Sequence, residues 1–413
     1  MDTINPLFSN LEDVRKHISV FCIVKDDADI IESYCRYHLS FLDSIVIWDD
    51  NSSDSTQEIV KQLANEGLSV ELIVIPKDEP FLRNFNLSVL QRYASYVFEK
   101  HNADLVIPLD ADEFLYCEDG SNPRDALEKL DEKAEHRFFW RTSVYTKDPD
   151  DNSVFLPNYF EEYRDPAFEI FPKTLLSKYI VEKCGGWLMA GKHGLAFPDE
   201  AMRNSVPIIN NDLIRIAHFP IRSTYHAMIK TVCMQLRSST FIGASPFQYK
   251  RIYDEIKSYG KPTKEQTRSY SLEYAIYQEQ LVLPINTIKQ FRGALKADFL
   301  NNSIRLAYTN YQSNNHLEQI LSFFELLLEK LKMEINMNKD DADETKKLLA
   351  QTVHVENDLR DAELRIHELE KTVLKANDEL QQASTRAEHL LNSTSWRMTK
   401  PLRVVMNFLR RKR

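Results

Sequence analysis

Glycine is scarce in this chain, at 9 of 413 residues. No turn carries the Gly-x-Gly-x-x-Gly or Walker pattern with which backbone amides cradle phosphates, so a dinucleotide fold of that type and a P-loop are disfavoured. So few glycines also exclude a collagen-like or low-complexity chain, and 43% apolar residues exclude a mainly disordered one. Cysteine is equally sparse. Cys22, Cys35, Cys117, Cys184 and Cys233 are odd in number, widely spaced and never in a Cys-x-x-Cys pair, which argues against a disulfide framework or a structural zinc site. Long apolar runs are missing too: no stretch approaches the roughly twenty residues of a membrane span. The first residues lack an apolar h-region. The expectation is a cytoplasmic protein that is not secreted.

The formal charge of −10 speaks against a nucleic-acid partner held by bulk electrostatics. That total conceals an asymmetry. Between Trp396 and Arg413 stand seven basic side chains and no acid, so the body is more acidic than the total shows.

In the first third, short β-branched runs alternate with amphipathic segments. The runs are Ile18 to Val24, Ser44 to Trp48, Val70 to Ile75 and Asp104 to Leu109, each too short for a buried helix. Helical patterns at Asp29 to Leu39, Ser55 to Asn65 and Asn84 to Glu99 separate them. The order β-α-β-α-β-α-β predicts an α/β fold with a parallel sheet covered by helices, whose ligands bind beyond the carboxyl ends of the strands. Residues 137–223 read as irregular, and residues 223–332 as mainly helical, with near-continuous leucines from Leu317 to Leu331. An unbroken heptad then runs from Thr345 to Leu390, a coiled coil about 70 Å long at 1.5 Å per residue. These shifts suggest four parts: a catalytic domain over 1–225, a helical extension over 226–338, a coiled coil over 339–395 and a basic tail over 396–413.

The turns that follow the strands are strongly polar: Lys25-Asp26-Asp27, Asp49-Asp50-Asn51-Ser52-Ser53-Asp54 and Asp110-Ala111-Asp112-Glu113. As a bare pattern Asp-x-Asp is uninformative, because it also occurs at Asp27/Asp29, Asp148/Asp150 and Asp341/Asp343. Position gives Asp110 and Asp112 their weight, since both follow an apolar strand. Two hard oxygen ligands there, with a nucleotide's phosphates, suit Mg2+ or Mn2+. The bland alternative is a pair of solvated turn aspartates.

These three segments, in this order, resemble the N-terminal motifs of family 2-type glycosyltransferases with the GT-A fold, in the branch whose metal motif ends in Glu-Phe. The resemblance spans roughly residues 17–225. It departs from the pattern at Asp26-Asp27, where Asn-Glu is usual. It implies that Lys25, Asp27, Asp49, Asp50, Asp54, Asp110 and Arg222 serve the donor, a nucleotide sugar, and that Asp110 and Asp112 hold the cation with His218 as a further ligand; His193, whose glycine-rich flanks suit a close approach of the backbone to a ligand, is a second candidate. It also implies an acidic base for the acceptor hydroxyl, with Glu113, Glu161, Glu162, Asp165 and Glu169 as open candidates.

The segment Asn392 to Arg403 resembles a C-terminal signature of bacterial glycosyltransferases that build surface polysaccharides. Leu402, Val405, Met406 and Leu409 share one helical face, Trp396 suits an interface, and the basic residues suit anionic lipid. The expected protein is therefore a metal-dependent, inverting glycosyltransferase at the inner face of the membrane. It would act on a lipid-linked or growing glycan and oligomerise through its coiled coil. The rival is a coiled-coil scaffold with a degenerate transferase domain.

Overall fold

The computed structural model describes residues 15–76, 87–145, 160–162, 172–240, 252–256, 258, 262–276, 295–296 and 306–308. The chain divides into two units, Met1–Thr352 and Val353–Arg413. The second unit, with the heptads from residue 353 on and the basic tail, lies outside the described residues, as do the leucines from Leu317 to Leu331 and the start of the heptads.

The four apolar runs form strands β1 (Ile18–Val24), β2 (Ser44–Asp49), β3 (Val70–Val74) and β4 (Leu105–Pro108). Between them stand helices α1 (Ile31–His38), α2 (Thr56–Asn65) and α3 (Leu87–His101). Alternate residues of β1 face opposite layers, as strand geometry requires. Ile18, Val20, Cys22 and Val24 join Ile31, Tyr34, Ile59 and Leu63 of α1 and α2, while Phe21 packs with Leu90, Tyr93 and Val97 of α3. Both faces are thus covered, which explains why the strands read as continuous apolar runs. Each fully buried Ile or Val there contributes about 2 kcal/mol.

β1 pairs in parallel with β2 on one side and β4 on the other, and β2 pairs with β3. The order β3-β2-β1-β4 reverses direction at β1, so a switch point lies between the carboxyl ends of β1 and β4. The chain then builds further strands: β5 (Glu113–Cys117), β6 (Glu135–Tyr145), β7 (Phe160–Glu162), β8 (Pro172–Thr174), β9 (Leu176–Ser177), β10 (Trp187–Leu188), β11 (Leu195–Ala196), β12 (Ile208–Asn210), β13 (Ile214–His218) and β14 (Leu295–Lys296). β9 closes the first sheet antiparallel to β4, and β10 and β11 form a small ribbon. The rest form a second, mixed sheet around β6, in which β13 lies between β6 and β5.

The α/β class expected from the sequence is the one observed. The irregular stretch expected over 137–223 is corrected, because strands β6 to β13 occupy much of it. Many are two or three residues long and are set by partners far away in sequence, so they leave no local periodicity to read. A short helix, α4 (Pro123–Glu128), precedes this part, and two more lie within it, α5 (Lys178–Cys184) and α6 (Glu200–Ser205), followed by the long α7 (Thr224–Thr240). Among the described residues no helix is long and apolar enough to cross a membrane.

Two contacts from α1 pin the middle of β5. His38 of α1 accepts the Leu115 N–H at Nε2 (3.3 Å), so its proton sits on Nδ1 and is donated to the Tyr34 carbonyl (3.0 Å). Tyr37 donates to the Leu115 carbonyl at 2.5 Å. Burial pushes the His38 pKa down to about 3. Between about pH 6.5 and pH 3 the folded chain therefore binds fewer protons at His38 than the unfolded chain, and the stability this residue gives is lost as pH falls through that window. The stability advantage of the wild type over His38→Gln, measured by urea unfolding, is expected to shrink by up to about 1.4 kcal/mol per pH unit between pH 6 and 4. An advantage that stays constant with pH would contradict this role.

Candidate functional site

The loops after β1 and β2 are locked together by their own polar groups. The Asp26 carboxylate accepts the N–H groups of Ser53 (2.6 Å) and Asp54 (3.3 Å) and the Ser53 hydroxyl (3.0 Å). Asp54 in return accepts the Ala28 N–H at 3.0 Å and the Thr56 N–H at 2.9 Å. Lys25 Nζ donates to the carbonyls of Asp50 (3.1 Å) and Asn51 (3.0 Å). Asp49 is fully buried: its Oδ2 accepts from Ser52 N–H (2.9 Å) and Gln57 Nε2 (2.7 Å), while its Oδ1 has no hydrogen-bond partner among the described residues. Burial raises the Asp49 carboxyl above its usual range, and pushes Asp54 up to about 6.

Asp110 stands two residues beyond the end of β4, on the far side of the switch point. Its two carboxylate oxygens are each taken by a lysine, Oδ2 by Lys173 Nζ at 2.6 Å and Oδ1 by Lys192 Nζ at 2.5 Å. Lys173 lies on β8 and Lys192 ends the short turn Ala190–Lys192. Glu113 is buried beneath the turn, where its Oε2 accepts the Asp110 N–H (2.9 Å) and its Oε1 lies 3.2 Å from Lys173 Nζ. Burial raises the Glu113 carboxyl. Desolvation opposes ionisation of Asp110 as well, but the two ammonium groups outweigh it and hold that carboxylate well below its usual range.

Asp112 belongs to a second group of charges. Register places His218 of β13 opposite Glu113 of β5, and the Phe219 N–H donates to the Asp112 carbonyl (2.8 Å). The Asp112 carboxylate accepts from Lys230 Nζ at 3.0 Å and has His218 Nε2 at 3.8 Å. Trp140 of β6 stacks on His218 with centroids 4.3 Å apart and meets His193 edge-on at 5.6 Å. Burial pushes the His218 pKa down to about 4, so the ring is neutral at pH 7. Arg222 is buried and bidentate to Asp29 (2.7 and 2.8 Å), with a third bond to Asp27 (2.9 Å). Burial pushes the Asp27 carboxyl up to about 7, against the pull of Arg222.

The residues expected to serve the donor therefore gather at the switch point, though several are engaged with one another. Lys25 ties two loops together, Asp54 caps its own turn, Asp50 is partly exposed, and Arg222 and Asp27 face each other. Of the candidate bases, Glu113 is buried beside Asp110. Glu161 and Glu162 lie on β7, paired with Val144 and Ser143 of β6, and Asp165 and Glu169 lie outside the described residues. Sequence reasoning missed Lys173, Lys192, Lys230, Trp140 and Asp29. A signal existed for Lys230: it stands four residues after His226 and so shares one face of α7 with it. Lys192 was visible only as a lysine beside His193.

The donor set does not fit a divalent cation as it stands. Asp110 spends both oxygens on ammonium groups and Asp112 spends one on Lys230. Among the described residues no group of three or more His, Cys, Asp or Glu side chains is placed to hold a metal ion.

No family model and no curated protein matches this chain. Similar solved structures include a mannosyltransferase from Pyrobaculum calidifontis in complex with GDP-Man and Mn2+, at 14% identity over 76% of this chain and 86% of that one, with a TM-score of 0.30. Glucosyl-3-phosphoglycerate synthase from Mycobacterium tuberculosis, in complex with phosphoglyceric acid, is 16% identical over 30% of this chain and 44% of that one, with a TM-score of 0.21. A mannose-1-phosphate geranyltransferase from Thermus thermophilus is 10% identical over 61% and 67%, with a TM-score of 0.22.

Gly191 is the backbone feature that lets Lys192 turn inward. It sits at φ +74°, and a Cβ there would meet His193 Cδ2 at 2.6 Å and Nε2 at 2.8 Å. Gly191→Ala is expected to cost about 1–3 kcal/mol in thermal or urea unfolding, because alanine disfavours this φ and displaces the imidazole. A variant as stable as the wild type would show that the turn is not held in this conformation.

Proposed function

We propose that this chain is a glycosyltransferase whose crevice, at the carboxyl ends of β1, β2 and β4, binds a nucleotide sugar. One observation carries the reading: the acidic turns that resemble glycosyltransferase motifs converge at the switch point, and buried cations are interleaved with them. Carboxylates suit the hydroxyls and N–H groups of a nucleoside, and Asp49 Oδ1, buried without a partner among the described residues, is an acceptor such a group would satisfy. Ammonium and guanidinium groups suit phosphate oxygens. A binder of apolar ligands would have no use for this array, since burying each charge costs several kcal/mol.

The reaction makes two demands on these residues. Negative charge builds on the departing nucleoside diphosphate, so positive charge must already be in place around it. A carboxylate must also take the proton of the attacking acceptor hydroxyl, with inversion at the anomeric carbon. Glu113 is a positioning residue in this scheme, since it is buried against the Asp110 N–H and Lys173 and fixes the turn that carries Asp110 and Asp112. The base then falls to Glu161, Glu162, Asp165 or Glu169. The acceptor we propose is a lipid-linked or growing surface glycan at the inner face of the membrane. Residues 396–413 would bind anionic lipid and residues 339–395 would join copies of the chain; both proposals rest on sequence pattern alone.

A thermal-shift screen of nucleotide sugars, run with Mn2+ present so that no mode of binding is missed, is expected to find at least one donor that raises Tm. Asp49→Ala, which removes the buried acceptor offered to the nucleoside, is expected to weaken that donor at least tenfold, about 1.4 kcal/mol. If no nucleotide sugar shifts Tm, the reading is wrong.

A further inference from the structure

Lys173 and Lys192 arrive from different elements yet meet at one carboxylate. Their side chains are only 2% and 1% exposed, whereas that of Asp110 is 40% exposed. The order is therefore two ammonium groups below and one carboxylate at the mouth. Burying an ammonium ion costs several kcal/mol, and a single exposed carboxylate is weak compensation for two of them. The second acid nearby, Glu113, lies 3.2 Å from Lys173 only and is itself raised by burial. Each ammonium has three donors; Lys192 gives one to Asp110, and Lys173 gives one to Asp110 and turns a second toward Glu113, so hydrogen-bonding capacity remains on both.

Two further features build this arrangement. His193, next to Lys192, is joined through Nδ1 to the carbonyl of Pro172, next to Lys173, at 2.8 Å. The backbones that carry the two lysines are thus tied one residue away from each. Lys192 itself is held at φ 65°, a conformation that costs a non-glycine residue about 1 kcal/mol. Among the described residues only three other non-glycine positions share it, and two of those, Asp26 and Asn51, are in the loops of the same crevice. Strain of this kind persists where the surrounding structure enforces it for use.

A divalent cation at Asp110 would have to displace two ammonium groups and then sit beside them. We infer that Lys173 and Lys192 are a diphosphate-binding pair, that Asp110 is the internal counter-ion holding them in place until the ligand arrives, and that binding needs no divalent cation. The inference rests on the nucleotide-sugar reading for the identity of the ligand, but not for the anion site itself.

The test is calorimetric titration of the full chain with UDP, GDP and inorganic pyrophosphate, each in EDTA and again in Mn2+. The expected result is that a nucleoside diphosphate binds in EDTA with an affinity within threefold of that in Mn2+, and that Lys192→Met weakens it at least tenfold. The comparison of EDTA with Mn2+ uses the unaltered protein, so it stands even if the variant fails to fold. Binding that appears only with Mn2+, or strengthens more than tenfold with it, overturns the lysine pair and leaves the nucleotide-sugar reading intact. Pyrophosphate binding in EDTA that depends on Lys192, with no binding of either nucleotide, keeps the anion site and counts against the nucleotide reading. No binding of any probe overturns both.

Discussion

The contact on which the site depends is the double ion pair at Asp110. It joins the end of β4 to β8 and to the turn Ala190–Lys192, segments separated from Asp110 by 63 and 82 residues. It is the one carboxylate that both lysines share, and it adds to the pairing of β8 with β6 and to the bond from His193 to the Pro172 carbonyl in fixing the segments that carry them. Glu113 supports the same point from below through the Asp110 N–H. His38 and Tyr37 in turn hold the strand that Glu113 begins. A chain of polar contacts thus runs from the first helix to the mouth of the crevice.

A parallel arrangement governs the other half. Arg222, at the entry to α7, is buried against Asp29 and Asp27, and Lys230 of the same helix reaches Asp112. The carboxylates after the strands therefore do not form an acidic patch. Asp27, Asp29, Asp110 and Asp112 are matched by Arg222, Lys230, Lys173 and Lys192, and mutual compensation is what makes so many charges tolerable at low exposure. An approaching anion meets cations that Asp110 has already gathered at one point, and it has to take the place of that carboxylate on them.

How much of this was legible beforehand follows from the range of the interactions involved. β1 appears in the sequence with its observed ends, and β2, β3 and β4 within one or two residues, because burial on both faces imposes a local apolar pattern. The order of those strands then marks the switch point, and the polar turns that follow them stand where a crevice forms. Lys173 and Lys192 were invisible for the opposite reason. A buried lysine looks like a surface lysine in a sequence, and what buries it is a carboxylate many residues away. Trp140 was hidden likewise, since its stacking on His218 comes from the parallel pairing of β6 with β13. The expected cation cluster assigned Asp110 by its place after β4, without the lysines that take its oxygens.

The central claim is that this crevice receives a diphosphate on Lys173 and Lys192. The most direct measurement is a crystal structure of the protein with UDP or GDP grown in EDTA. The account predicts diphosphate oxygens within about 3 Å of both Nζ atoms, with the nucleoside toward the loops after β1 and β2. A nucleotide seated elsewhere, with both lysines still closed on Asp110, would contradict it.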